Sequence, residues 1–294
     1  MTDVWLNGEF VAMEEAKVSA FDAGFQHGVG VFETMRAAQG QIIDLDHHLA
    51  RMADSVKSLR LSERLDVEPL AEAVTQTLSR SEEEEARIRV TITGGDLNML
   101  GNQSTTHDPT ILVVIQPPTP YPDALFEKGV TVAVAEGRAN PADPFAGHKT
   151  LWYWPRLREL QTAATKGASE ALWFTTRNRL ASGCVSNVLI VLDGVLITPP
   201  ARGEEGEGDV PSAVLPGIVR SNVLNWASEE GIQVEFSEID VERLLGASEV
   251  MLTNSSWGIM PVVSIEQSAI GGGEPGEFTK MAINRWRQRL QSGT

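Results

Sequence analysis

Four prolines fall within seven residues of the segment QPPTPYP, at positions 116–122. Proline has no backbone N–H and a fixed φ, so this density excludes both a helix and a central strand there. A chain of 294 residues is long for one compact core and sufficient for two. We therefore expect an N-terminal domain at 1–117, a linker at 118–127 and a C-terminal domain at 128–294.

Both predicted domains mix the periodicities of helix and strand. Amphipathic helices are predicted at about 46–59 and 66–79, and three more within TLWYWPRLRELQTAATKG, GIVRSNVLNWASEEG and the end of the chain. Strands are predicted at 3–6, 9–12, 30–36 and 40–44 and in ARIRVTITGG, TILVVIQ, VTVAVAE, SEALWFT, NVLIVLDGVLITPP and EVMLTNSS. The fold class is therefore predicted as α+β, a mixed α/β arrangement in two domains, with a site in the cleft between them.

Composition excludes several classes of function. The formal net charge of −16 disfavours binding to nucleic acid or to an anionic membrane surface. No run of apolar residues is long enough for a membrane helix, and the N-terminus lacks the pattern of a signal peptide, so we expect a cytoplasmic protein. The single cysteine rules out an internal disulfide, and none of the five histidines has the spacing of a metal ligand.

The lysine of FAGHKTLWYWP, Lys149, is followed within five residues by two tryptophans and a tyrosine. Burial among aromatic side chains disfavours the ammonium form and frees the amine for covalent chemistry. On this local pattern alone, a surface lysine whose stem packs beside core aromatics is the commoner explanation.

Six segments, in one order and spacing, decide between these interpretations. They are DAGFQHGVGVFETMR (22–36), HHLARM (47–52), HKTLWYW (148–154), the run from SGCVSN to VLIVLDGVLITP (182–199), LPGIVR (215–220) and EVMLTNSSWGIMPV (249–262). The chain resembles the class IV, or fold-type IV, pyridoxal-phosphate enzymes. That family includes branched-chain aminotransferases, D-amino-acid aminotransferases and aminodeoxychorismate lyases.

The resemblance implies a site for pyridoxal 5'-phosphate and a small-molecule amine or amino acid substrate. Lys149 would be the Schiff-base lysine, and Arg51 would bind the cofactor phosphate through a charge-assisted hydrogen bond. The phosphate would also be met by the N–H groups of Ile218 and Val219 at a helix N-terminus, and by Asn254 and Ser255. Tyr153 would lie near the cofactor's 3-hydroxyl, and the resemblance further implies a homodimer.

One position departs from the family in a way that bears on the reaction. The family motif E-G-x-x-S-N, whose glutamate pairs with the pyridine nitrogen, is here S-G-C-V-S-N at 182–187. Ser182 therefore stands in the place of the glutamate, and its hydroxyl offers only a neutral hydrogen bond. Transamination should suffer more from this change than elimination. Val29 and Val219 replace a polar aspartate and threonine of the family, and Trp152 and Trp257 should narrow the pocket.

Three functions remain open. The preferred one is a lyase of the aminodeoxychorismate lyase type, which releases pyruvate, because loss of the glutamate harms elimination least. The second is an aminotransferase for branched-chain or D-amino acids. The third is a degenerate homologue without pyridoxal-phosphate catalysis, which retention of Lys149, Arg51 and Ser255 disfavours.

Overall fold

The computed structural model describes residues 3–62, 65–96 and 109–293. The chain divides into two compact units. Unit 1 comprises Met1–Thr119, His148–Trp152 and Arg289–Thr294, and unit 2 comprises Pro120–Gly147 and Tyr153–Gln288. The division after Thr119 falls inside the predicted linker. The short segment that carries Lys149 belongs to unit 1, although the sequence placed it in the C-terminal domain.

The described part of unit 1 contains six strands, three α-helices and a short 3-10 helix at Met13–Glu15. The strands are β1 (Asp3–Leu6), β2 (Glu9–Ala12), β3 (Gly30–Ala38), β4 (Gln41–Ile42), β5 (Ala86–Thr93) and β6 (Ile111–Gln116). The helices are α1 (Ala23–His27), α2 (Leu45–Ser58) and α3 (Val67–Ser81). The sheet has the order β2-β1-β6-β5-β3-β4, and all its named pairs are antiparallel.

Strand alternation divides the sheet of unit 1 into an apolar and a polar face. The pairs Val31–Ile92 and Met35–Ile88 face the core, where they pack with apolar side chains of α2 and α3. The intervening pairs Phe32–Thr91 and Thr34–Arg89 point to the other face. The same two strands therefore bury a core on one side and present aromatic, hydroxyl and cationic side chains on the other.

Unit 2 contains a larger sheet with five helices. Its strands are β7 (Val130–Ala139), β8 (Glu170–Thr175), β9 (Leu180–Ser182), β10 (Asn187–Leu192), β11 (Val195–Thr198), β12 (Val234–Phe236), β13 (Glu249–Asn254), β14 (Gly258–Ile265) and β15 (Ser268–Ala269). Its helices are α4 (Asp123–Lys128), α5 (Trp154–Thr165), α6 (Ile218–Glu229), α7 (Val241–Leu245) and α8 (Glu277–Ser292). The sheet order is β12-β11-β10-β13-β14-β7-β8-β9, with β15 beside β14.

The sheet of unit 2 is mixed, because β7 pairs in parallel with both β8 and β14 whereas β10, β13 and β14 form antiparallel pairs. Its core is a cluster of valine, leucine, isoleucine and methionine side chains from these strands, with Phe174. The predicted α+β class, a mixed α/β arrangement of helices and strands, is thus confirmed. Among the described residues, no helix is both long and apolar enough to cross a membrane.

The structure differs from the predicted elements where local signals conflict. The predicted linker contains α4, which begins directly after Pro122, since proline excludes a helix interior and not the residues that follow it. Strand β14 was not predicted, because Gly258 and Pro261 lie inside it. It forms nonetheless, because it is paired on both sides within a buried sheet.

Candidate functional site

Lys149 is held by backbone pairing to β3. The N–H of Phe32 donates to the carbonyl of Lys149 at 2.9 Å, and the N–H of Leu151 donates to the carbonyl of Gly30 at 2.9 Å. Gly30 has φ +155, and a Cβ there would lie 2.4 Å from the carbonyl oxygen of Ile92. The same Cβ would lie 2.6 Å from Cδ1 of Leu151, so glycine at this position of β3 allows the lysine segment to lie alongside the strand.

The amine of Lys149 lies over an aromatic ring. Its Nζ is 4.4 Å from the ring centroid of Phe32, and the guanidinium carbon of Arg89 is 3.9 Å from the same centroid. The Nε of Arg89 also donates to the hydroxyl of Thr91 at 3.2 Å. The polar face of the unit 1 sheet therefore gathers a lysine amine and a guanidinium around one buried phenylalanine.

Arg51 is paired with a buried carboxylate. Its Nε and Nη2 donate to the two carboxylate oxygens of Glu33 at 2.8 and 2.7 Å, and the Nδ1 of His48 lies 2.8 Å from the second oxygen. The Glu33 side chain is 1% exposed and that of Arg51 11%. Arg51 is therefore a fixed element of the fold and not a mobile charge on the helix surface.

The protonation states of Glu33 and His48 follow from their burial and from the groups that contact them. Burial opposes ionisation of Glu33, but the charge of Arg51 and the hydrogen bonds from His48 and Arg51 outweigh it and hold the pKa of the carboxyl well below its usual range. Burial also lowers the pKa of His48, although Glu33 opposes this, so the imidazole is neutral near pH 7 and donates from Nδ1. The pair of full charges is thus Arg51 and Glu33.

In unit 2 the loop at 183–187 is held by the carboxylate of Glu170. One oxygen of Glu170 accepts hydrogen bonds from the N–H of Val185 and the hydroxyl of Ser186 at 2.9 and 2.8 Å. The other accepts from the N–H groups of Cys184 and Ala171 at 2.9 and 2.8 Å. Glu170 is 1% exposed, and four donors compensate the cost of its burial.

Residues of this loop also form hydrogen bonds with Tyr153, with Asn254 and with the turn before α6, where most of the unit 2 residues predicted for the site lie. The hydroxyl of Tyr153 donates to the carbonyl of Cys184 at 3.2 Å, and the amide of Asn254 donates to the carbonyl of Val185 at 3.2 Å. The amide of Asn187 donates to the carbonyl of Leu215 at 2.8 Å, within the LPG turn. Tyr153, Asn254 and the turn before α6 are therefore neighbours around one short loop.

The N-terminus of α6 carries two of the predicted residues, Ile218 and Val219. The N-cap is Gly217, and no side chain caps this end. The first N–H groups of a helix have no partner within it, and they form the positive end of the helix dipole. A Cβ on Gly217 would lie 1.9 Å from Oδ1 of Asn187, so glycine is required for the close contact with the loop.

Asn254 and Ser255 lie at the end of β13, in the turn that leads to β14. The Oδ1 of Asn254 accepts from the N–H groups of Ser256 and Trp257 at 2.9 and 3.0 Å. Asn254 therefore organises the turn on which Ser255 is presented. Ser255 itself is partly exposed.

Ser182 lies at the end of β9 and is 4% exposed. Its hydroxyl oxygen accepts a hydrogen bond from Nη1 of Arg156 at 3.1 Å. Cys184, two residues further, is a buried thiol whose pKa is raised to about 12 by burial and by the charge of Glu170. A buried thiol with a raised pKa is a packing group and not a reactive thiolate.

Arg89, Arg156 and Glu170 were not identified in the sequence. Arg89 could have been found from the alternation of ARIRVTIT, in which arginines occupy the face opposite the apolar one. Glu170 and Arg156 carry no comparable local signal, because their partners lie 14 to 16 and 26 to 28 residues away. Among the described residues, no group of three His, Cys, Asp or Glu side chains is placed to hold a metal ion.

Comparison with known proteins relates this arrangement to one family. The family model for amino-transferase class IV matches residues 30–265. A Methanocaldococcus jannaschii protein with the provisional name branched-chain-amino-acid aminotransferase is 33% identical over 97% of this chain and 95% of its own length. Aminodeoxychorismate lyase of Bacillus subtilis is 26% identical over 98% of this chain and 95% of the lyase.

The fold agrees with this relationship. The crystal structure of Escherichia coli branched-chain amino acid aminotransferase matches the chain with a TM-score of 0.90 at 27% sequence identity, over 99% of this chain and 95% of that one. The fold-type IV class expected from the sequence is thereby confirmed.

We expect Glu170→Gln to lower the free energy of unfolding by about 2–5 kcal/mol, because the glutamine amide would direct its own donors at N–H groups of the loop. Urea unfolding measures this. The control is Glu136→Gln, an exposed glutamate of the same unit, which should change stability by less than about 0.5 kcal/mol. Equal stabilities for the two variants would contradict the role of Glu170.

We expect Glu33→Gln to destabilise the protein by about 3–5 kcal/mol at pH 7, because Arg51 would lose its buried partner. The pKa of Glu33 is lower in the folded state, so its contribution is present above the ordinary value of 4.5 and is lost as the pH falls through the folded pKa. The difference between wild type and variant should therefore narrow below about pH 4.5. Urea unfolding at a series of pH values measures it, and a constant difference would refute this account.

Proposed function

Since the chain belongs to the class IV aminotransferases, whose family model matches residues 30–265, we propose that it is a pyridoxal-phosphate-dependent aminotransferase of amino acids. The observation that carries the proposal is the amine of Lys149, held by backbone pairing over the ring of Phe32, which the guanidinium of Arg89 also contacts. When bound, the cofactor withdraws electrons from the α-carbon of the amino acid, which no protein side chain can do.

The residues present fit this cofactor. Its aldehyde requires an amine, which Lys149 supplies, and its phosphate requires cationic and N–H donors, which Arg51 and the N-terminus of α6 supply. Its ring requires polar partners, and Tyr153 and Ser182 border the loop at 183–187.

Lys149 would hold the cofactor covalently through Nζ, and its amine, once released by the incoming amino group of the substrate, would accept the proton from the α-carbon. The aromatic ring beneath its amine lowers the exposure of Nζ to water. Backbone pairing with β3, through the carbonyl of Lys149 and the N–H of Leu151, fixes the main chain next to the lysine, so the side chain alone would move when the amine changes partners.

The phosphate is bound by Arg51 and by backbone groups. The hydrogen bonds from Nε and Nη2 to Glu33 hold the guanidinium in place, and its positive charge would attract the phosphate. Ile218 and Val219 contribute N–H groups, and Ser255 contributes its hydroxyl. Asn254 acts mainly by shaping the turn, since its Oδ1 is occupied by two backbone donors.

Arg89 binds the carboxylate of the substrate. Guanidinium groups bind carboxylates through paired, charge-assisted hydrogen bonds, and Arg89 lies on the same phenylalanine ring as the amine of Lys149. An amino acid held there by its carboxylate would present its α-carbon toward Lys149. Arg89 thus supports an amino acid, and not a simple amine, as the substrate.

Branched-chain amino acids are the first substrate class that we propose. The archaeal relative and the Escherichia coli structure both carry the name of branched-chain aminotransferases. The lyase preferred from the sequence becomes the second candidate. Ser182 supports it, because the carboxylate that aids transamination is absent, and the Bacillus subtilis relative carries the lyase name.

We also propose a homodimer in the cytoplasm. Phe21, Phe25 and Trp152 of unit 1 are 69%, 78% and 64% exposed in the single chain. Large aromatic side chains so exposed are typical of surfaces that a partner subunit covers. They support the family expectation of a dimer.

Lys149→Ala should abolish the visible absorption band of the bound cofactor and lower the transfer rate by at least about 10²–10⁴-fold. Absorbance of the purified protein and borohydride labelling of Lys149 measure the attachment. Lys57→Ala, which removes an exposed lysine of the same unit, should retain the band and the label. A labelled lysine other than Lys149 would overturn the assignment.

Leucine, isoleucine and valine should convert the bound cofactor to its amino form in single-turnover mixing, faster than D-alanine does. Aminodeoxychorismate is the competing substrate, and release of pyruvate from it is measured in parallel. Pyruvate release without conversion by any amino acid would establish the lyase instead. Conversion by D-alanine alone would place the chain with the D-amino-acid enzymes.

A further inference from the structure

Arg156 directs its guanidinium into the segment that replaces the family's glutamate motif. From the first turn of α5, its Nη1 donates to the hydroxyl of Ser182 at 3.1 Å and to the carbonyls of Gly183 and Cys184 at 2.8 and 3.4 Å. The guanidinium carbon lies 5.2 Å from the ring centroid of Trp173. In the described part of the chain, no carboxylate forms an ion pair with Arg156. Where the family has the carboxylate of a glutamate, this chain has the hydroxyl of Ser182 with the guanidinium of Arg156 beside it.

The bond from Arg156 determines what the hydroxyl of Ser182 can do. A hydroxyl has one proton to donate and two lone pairs. Nη1 uses one lone pair, and no described residue accepts the proton, although the side chain is only 4% exposed. A buried donor left without an acceptor is unfavourable, so the site is suited to a ligand atom that accepts a hydrogen bond.

We infer that Arg156 is a positioning residue, which orients the hydroxyl of Ser182 as a donor to the ring nitrogen of the bound cofactor and keeps that nitrogen unprotonated. This inference rests on the proposed function, since it requires the cofactor in the site. A protonated ring nitrogen would have to donate to Ser182 and would place a positive charge near the guanidinium. Both effects disfavour protonation, whereas a carboxylate at position 182 would favour it.

Arg156 therefore places a positive charge beside the position at which the family has a negative one. Serine alone would leave this position without a charge. A ring with an unprotonated nitrogen withdraws electrons less strongly, so removal of the substrate proton depends more on the base. Lys149 is that base in the proposed function. The combination of Arg156 and Ser182 would select reactions that tolerate a weaker electron sink.

If the role of Arg156 were purely structural, its removal would have a different effect on the cofactor. Its bonds to the carbonyls of Gly183 and Cys184 also fasten the loop at 183–187 to α5. If fastening were its only role, other changes that loosen the loop would have the same effect as its removal. Ser186→Ala is the matched control, because it removes one bond between the loop and Glu170 and leaves Ser182 unchanged.

The test uses holoenzyme reconstituted with pyridoxal phosphate that carries ¹⁵N at the ring nitrogen. Neutral and protonated pyridine nitrogens have well separated ¹⁵N chemical shifts. We expect the neutral shift in the wild type and in Ser186→Ala, and the protonated shift in the double variant Arg156→Gln with Ser182→Glu. Ser182→Glu alone should remain closer to neutral than the double variant, because Arg156 would pair with the new carboxylate.

Binding of cofactor analogues provides a second readout. N-methylated pyridoxal phosphate has a fixed positive charge and no lone pair on the ring nitrogen. The ratio of its affinity to that of the normal cofactor should rise at least about tenfold, equivalent to about 1.4 kcal/mol, from wild type to the double variant. Ser186→Ala should leave this ratio unchanged, and an equal rise in that control would show that Arg156 only fastens the loop.

The possible failures are distinguishable. A protonated nitrogen in wild-type holoenzyme, with the cofactor attached to Lys149, overturns this inference and leaves the proposed function intact. Failure of the wild type to bind the cofactor at all overturns both. The wild-type measurement can therefore overturn the inference even where a variant does not fold.

Discussion

The carboxylate of Glu170 is the interaction on which the polar centre of unit 2 depends. It is almost completely buried, and it accepts hydrogen bonds from three N–H groups and one hydroxyl, two of these N–H groups lying in the loop at 183–187. The loop then uses its outward-facing carbonyls to bind Tyr153 and Asn254. One buried charge thus orders a loop without regular structure, and the loop in turn positions side chains from two distant parts of the sequence.

Unit 1 also contains a buried carboxylate, Glu33, but its partners are side chains and not backbone N–H groups. Glu33 is buried between Arg51 and His48, and it converts a long flexible arginine into a rigid group with a defined outer edge. A carboxylate this deep is stable only because a full positive charge and a neutral imidazole meet it directly. In both units, therefore, a buried glutamate lowers stability unless its hydrogen-bond partners are correctly placed. The positions of those partners in turn fix the side chains and the loop that the site would use.

The sequence predicted the elements whose signals are local. Alternation in β5 and the amphipathic pattern of α2 each act over a few residues, and the structure has a strand and a helix there. Ser182 was recognised because it interrupts a motif of fixed spacing. Glu170 and Arg156 were not, since a glutamate at the start of a strand and an arginine in a helix are ordinary surface residues until the fold shows what they contact.

The pairing of Ser182 with Arg156 changes the meaning of the lost glutamate. Considered alone, serine is a neutral replacement, which suggests a weakened enzyme or a different reaction. Considered with Arg156, the serine has a defined direction of hydrogen bonding. The guanidinium donates to its hydroxyl oxygen, and the hydroxyl still has its own proton to donate. Residues that share one hydrogen bond act non-additively, so neither position can be interpreted, or restored toward the family pattern, without the other.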